Sequence, residues 1–147
     1  MDRPATERPS LRAPAQPPLV LVVDDDPNVL KICTTVLEAG GYRTATASSG
    51  PEALERVDAL KPDLVVLDLV MPGGDGFTAA HMIRSRPAGA RTPILVLTGT
   101  SMSREDAARR AGATKFCMKP LDPSRFMVEV RKLCPIGGSA PARPRPY

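Results

Sequence analysis

Four short apolar runs each stop at a polar or charged side chain. LVLVV precedes Asp24-Asp25-Asp26, LVVL precedes Asp68, ILVL precedes Thr98 and KFCM precedes Lys119-Pro120. Runs this short and this rich in Val, Leu and Ile, separated by segments of helical period, are the pattern of parallel strands covered on both faces by crossover helices. In sheets of that kind the ligand crevice lies beyond the carboxyl ends of the strands. Four strands that finish in carboxylates, a hydroxyl and an ammonium therefore gather those groups in one place. Two unit charges about 4 Å apart repel by about 4 kcal/mol at an effective dielectric of about 20, so the crowded carboxylates call for a cation.

The helices between these strands carry their own start and stop signals. Asp26-Pro27 supplies an N-cap and a first-turn proline, and Val29, Ile32, Cys33, Val36 and Leu37 form the expected inward stripe as far as Gly40-Gly41. A weakly alternating strand from about Tyr42 to Ala47 is expected at a sheet edge. Ser49-Gly50-Pro51-Glu52 has the form of a capping box and opens a helix to about Leu60. Lys61-Pro62-Asp63 then turns into the strand Leu64 to Leu67. The turn Met71 to Gly76 leads to a helix from about Phe77 to Arg84, followed by a strand from Pro93 to Leu97. Ser103 and Asp106 signal a short helix ending near Gly112. A strand from Lys115 to Met118 follows, and Asp122-Pro123 starts a last helix with Phe126, Val130 and Leu133 inward.

Composition limits where the fold extends. The 17 prolines of the 147 residues are unusually many, and Pro4, Pro9, Pro14, Pro17 and Pro18 crowd one end while Pro135, Pro141, Pro144 and Pro146 crowd the other. Residues 1–18 and 135–147 are accordingly expected to be disordered or polyproline-like tails around a folded unit of residues 19–134. Five arginines against two acids in those ends account for three of the four formal positive charges, leaving the middle at +1. A basic nucleic-acid face is not indicated, and three Phe, two Tyr and no Trp offer few stacking platforms. Cys33, Cys117 and Cys134 form no CxxC pair and are expected to be reduced, buried thiols of a cytoplasmic protein. No run reaches 18 apolar residues, so no membrane span is expected.

The crevice residues point to phosphoryl chemistry. Asp24, Asp25 and Asp68 are hard oxygen ligands suited to Mg²⁺, with Mn²⁺ a possible substitute, and not to zinc. Thr98 and Lys119 offer a hydroxyl and a point charge for phosphoryl oxygens, and an aspartate among them can be the nucleophile. His81 is expected on a helix surface.

LVLVVDDDPNVL (19–30), PDLVVLDLVMPGGDG (62–76), PILVLTGT (93–100) and KFCMKPLD (115–122), in that order, resemble the receiver domain of bacterial two-component response regulators. The resemblance implies a flavodoxin-like α/β fold: a doubly wound, five-stranded parallel sheet of order 2-1-3-4-5 with five helices. It implies Asp68 as phosphoacceptor, with Mg²⁺ held by Asp24, Asp25, Asp68 and the backbone carbonyl of Val70. Thr98 and Lys119 would contact the phosphoryl group, Thr98 and Phe116 would form the switch, and the Lys119-Pro120 peptide would be cis. The partners implied are a sensor histidine kinase or phosphotransfer protein and a downstream protein. The expected chain is a monomer or a phosphorylation-dependent dimer, with no DNA-binding domain, and not an enzyme acting on external substrates. A receiver-like scaffold that works without phosphorylation is the alternative. A haloacid-dehalogenase-type phosphatase is disfavoured because Val70 stands where that chemistry needs a second Asp.

Overall fold

The computed structural model describes residues 16–68, 76–98, 112–118 and 122–136. Five strands, β1 (Leu19–Val23), β2 (Arg43–Ala47), β3 (Leu64–Asp68), β4 (Ile94–Thr98) and β5 (Lys115–Met118), alternate with helices. The helices are α1 (Pro27–Ala39), α2 (Gly50–Leu60), α3 (Gly76–Ser85) and α4 (Pro123–Leu133), with a 3₁₀ turn at Pro87–Gly89. All four strand pairings are parallel, and the order is β2-β1-β3-β4-β5. This is the fold and the strand order expected from the sequence. The fifth expected helix, from Ser103, lies outside the described residues, as does the Met71 to Asp75 turn.

The apolar runs are continuous because both faces of the sheet are covered. Successive strand residues point to opposite faces. Leu21, Val23, Val65, Leu67, Ile94 and Val96 therefore pack on one side with Ala53, Leu54 and Val57 of α2 and Ala79, Ala80 and Ile83 of α3. Val20, Val22, Leu64, Val66, Leu95 and Leu97 pack on the other side with Cys33 and Leu37 of α1 and Phe126, Met127 and Val130 of α4. Each such aliphatic side chain withdrawn from water contributes about 1.5–3 kcal/mol. β2, at the edge, is the exception: only Ala47 of its five residues is buried.

The helix starts are chemical. Asp26 accepts a hydrogen bond from the Asn28 N–H at 2.9 Å with Pro27 next to it, and Asp122 accepts from the N–H groups of Ser124 and Arg125. Ser49 Oγ accepts from the Glu52 N–H at 3.2 Å, but the return bond differs from the expected box. Glu52 Oε1 accepts from the Ser48 N–H at 2.8 Å, one residue before the cap. The inward stripe of α1 is also corrected. Ile32 is 48% exposed, and Leu30 instead joins Val29 and Val36 at the margin of the core. On a helix the buried face is set by where the sheet lies, and Ile32 falls just outside that arc.

Candidate functional site

β1 and β3 run side by side with Val23 opposite Leu67, so the next residues, Asp24 just past β1 and Asp68 at the end of β3, stand together at the carboxyl edge of the sheet. Both are buried, at 1% and 4% exposure, whereas Asp25 is exposed. Carboxylate oxygens of Asp24, Asp25 and Asp68 lie within 4.8 Å of one another, and among the described residues they make the one acidic group with metal-ligand spacing.

The local backbone fixes the acids in place. Asp24 N–H donates to the Ala47 carbonyl at 3.1 Å, which ties the end of β1 to the end of β2. Asp24 Oδ1 accepts from the Asp26 N–H at 2.9 Å, folding the triple-aspartate turn onto itself. Asp26 then leaves the site to cap α1. The three adjacent acids therefore divide into one buried carboxylate, one exposed carboxylate and one helix cap.

β4 continues the edge. Asp68 pairs with Leu97, so Thr98, the last residue of β4, stands one step beyond Asp68. β5 pairs Thr98 with Met118 and Val96 with Phe116. The strand positions of Thr98 and Phe116 are thus as expected, while their side chains, together with Val70, Lys119 and the Lys119-Pro120 peptide, lie outside the described residues. His81 is exposed on α3. An all-oxygen set of two buried carboxylates and one exposed carboxylate suits a hard divalent cation.

No thiol competes for the chemistry among the described residues. Cys33, Cys117 and Cys134 are buried thiols that form no disulfide. Burial, reinforced by Glu129, pushes the Cys117 thiol up to about 11, so at neutral pH it is protonated and a poor nucleophile. Two interactions absent from the sequence reasoning organise the periphery. Tyr42 donates its hydroxyl to the Cys134 carbonyl at 2.5 Å, and Arg84 gathers oxygens from four separate residues. Tyr42 and Cys134, 92 residues apart, and Arg84 and Gly112, 28 apart, are adjacent only in the fold, so neither contact has a local sequence signal.

Comparison with known proteins gives concordant matches. The family model described as response regulator receiver domain matches residues 20–131. The DNA-binding response regulator MtrA of Mycolicibacterium smegmatis is 37% identical over 113 residues, covering 76% of this chain and 48% of MtrA. The response regulator PleD of Caulobacter vibrioides is 34% identical over 116 residues, covering 78% of this chain and 25% of PleD. This chain thus spans about half the length of the one relative and a quarter of the other. The Vibrio cholerae chemotaxis protein CheY4 superposes with a TM-score of 0.75 at 30% identity, covering 79% of this chain and 98% of CheY4.

Proposed function

Because the chain belongs to the response regulator receiver domain family, and so to two-component signalling, we propose that it accepts a phosphoryl group on Asp68 in a Mg²⁺-dependent reaction. The donor is the phospho-histidine of a sensor histidine kinase or phosphotransfer protein. The observation that carries this reading is the convergence of Asp24, Asp25 and Asp68 within 4.8 Å at the carboxyl edge of the sheet.

Each carboxylate has a distinct part. Asp68, buried at the end of β3, supplies the oxygen that attacks phosphorus. The new P–O bond forms as the donor's P–N bond breaks, and the leaving imidazole takes up a proton, giving an acyl phosphate on Asp68. Asp25, which is exposed, and Asp24, one oxygen of which is committed to the Asp26 N–H, would hold the cation together with Asp68. When bound, Mg²⁺, or Mn²⁺ in its place, would supply positive charge against the transferred group. By the family resemblance, Thr98 and Lys119 would contact the phosphoryl oxygens, the Val70 carbonyl would be a further metal ligand, and Phe116 would partner Thr98 in the switch. The chain modifies itself and turns over no external substrate. Its signal is read in the cytoplasm through contact with a downstream protein, which the +1 charge of residues 19–134 favours over a nucleic-acid face.

The test is intact-mass spectrometry after treatment with acetyl phosphate and Mg²⁺. One phosphoryl group is expected on the wild type, none without Mg²⁺ and none on Asp68→Asn. Equal labelling of Asp68→Asn would sink the assignment of the nucleophile. A wild type that stays unlabelled while still binding its downstream protein favours the scaffold alternative.

A further inference from the structure

At the amino end of the sheet, opposite the aspartates, a half-buried guanidinium meets four neutral oxygens. Arg84, in the last turn of α3, donates from Nε to the Gly112 carbonyl at 3.0 Å and from Nη1 to the carbonyls of Gly89 at 2.9 Å and Thr92 at 2.5 Å. Its Nη2 reaches the Thr114 hydroxyl at 3.4 Å. Burial lowers its pKa to about 10, which leaves it a cation at neutral pH. Only a planar fork of five donors can serve oxygens in so many directions at once, and a lysine ammonium cannot.

The backbone is shaped around this side chain. Gly112 has a φ of +80°, and a Cβ there would lie 3.2 Å from Arg84 Cγ. At Gly89 a Cβ would strike the carbonyl oxygen of Ile83, so the 3₁₀ turn can close on the end of α3 only without a side chain.

What the fork holds is the entry to two strands. Thr92 leads into β4, and Gly112 to Thr114 lead into β5. Thr114 pins both backbone groups of Ile94: its N–H donates to the Ile94 carbonyl at 2.8 Å, and its hydroxyl accepts from the Ile94 N–H at 3.1 Å. From that clamp the register runs Leu95 with Lys115 through to Thr98 with Met118. Because side chains alternate with period two, a slip of one residue would turn over every side chain at the far end. That far end is about 13 Å away, at about 3.3 Å per strand residue.

We propose that Arg84 is a positioning residue for phosphoryl recognition: through Thr92, Gly112 and Thr114 it holds β4 and β5 in the register that ends with Thr98 at the carboxyl edge, one step beyond Asp68. This rests on the function proposed above. The aspartates sit on β1 and β3, whose amino ends are joined independently by Leu19 N–H to Asp63 Oδ2 and Asp63 N–H to the Leu19 carbonyl. Metal binding and phosphoryl binding therefore depend differently on Arg84.

The experiment titrates Mg²⁺, and separately beryllofluoride in saturating Mg²⁺, into the wild type, Arg84→Met, Arg84→Lys and Thr114→Val, with fluorine NMR as the readout for beryllofluoride. Mg²⁺ affinity is expected to stay within about twofold of wild type, while beryllofluoride affinity falls about tenfold in Arg84→Met and Thr114→Val, and by less in Arg84→Lys. If Arg84→Met does not fold, Arg84→Lys and Thr114→Val decide by the same split. Unchanged beryllofluoride affinity in the folded variants, or a parallel loss of both affinities, overturns the positioning role. Absence of beryllofluoride binding by the wild type overturns the phosphoacceptor function, and this inference with it.

Discussion

Asp24 and Asp25 are adjacent in the chain and opposite in surroundings. The first is buried with an oxygen held by the Asp26 N–H, and the second faces solvent. The same side chain thus serves as scaffold or as accessible ligand according to what the backbone does around it. Tyr42 shows a second environment acting on one group. Burial, then the neighbouring Cys134, pushes its pKa from 10.0 to about 12. Its folded-state pKa is raised, so the stability it contributes is complete below about pH 10 and is lost as pH rises through about 12, because the unfolded phenol ionises first. Alkaline unfolding monitored by tyrosinate absorbance should accordingly show a stability loss between about pH 10 and 12. Tyr42→Phe should flatten that window, and an unchanged profile in the variant would contradict the assignment.

At the scale of elements, the caps separate helix formation from site chemistry. Asp26 and Asp122 each satisfy N–H groups of a first turn, and removal of such a cap costs about 1 kcal/mol. Asp26→Ala and Asp122→Ala should each lower urea unfolding stability by about that amount, and the double variant by about the sum, since the two caps serve N–H groups of different helices. Asp26→Ala should leave Mg²⁺ affinity intact, because its backbone N–H and not its carboxylate faces Asp24. A large loss of Mg²⁺ affinity would place Asp26 among the ligands. Helix starts were legible because a cap is a contact between residues two or three apart. The return bond of Glu52 to Ser48 and the exposure of Ile32 were not, since a shift of one residue depends on how the helix meets the sheet.

For the whole molecule, three carboxylates within 4.8 Å make the folded state a better Mg²⁺ ligand than the unfolded chain. Ligand that binds only the folded state stabilises it, by about 1.4 kcal/mol at tenfold excess over its dissociation constant. For a domain of this size that is a rise of roughly 3–8 °C in Tm. The shift should vanish in Asp25→Ala and persist in Asp26→Ala. Equal shifts in wild type and Asp25→Ala would exclude the cluster as the metal site. Among the described residues no helix is long and apolar enough to cross a membrane.

The parallel sheet and the identity of the acidic residues were legible in the sequence alone, and the strand order was implied by the resemblance of its motifs to the receiver family. Strands buried on both faces must be apolar throughout, and polar residues at their carboxyl ends then have one common destination. Only the tertiary structure decided which aspartate is buried, which exposed and which a cap, and only it joined Tyr42 to Cys134 and Arg84 to Gly89, Thr92, Gly112 and Thr114. Hydrophobic pattern repeats along the chain and can be followed residue by residue. A hydrogen bond between distant residues leaves no local period, because its partners become neighbours only once the sheet has closed its register.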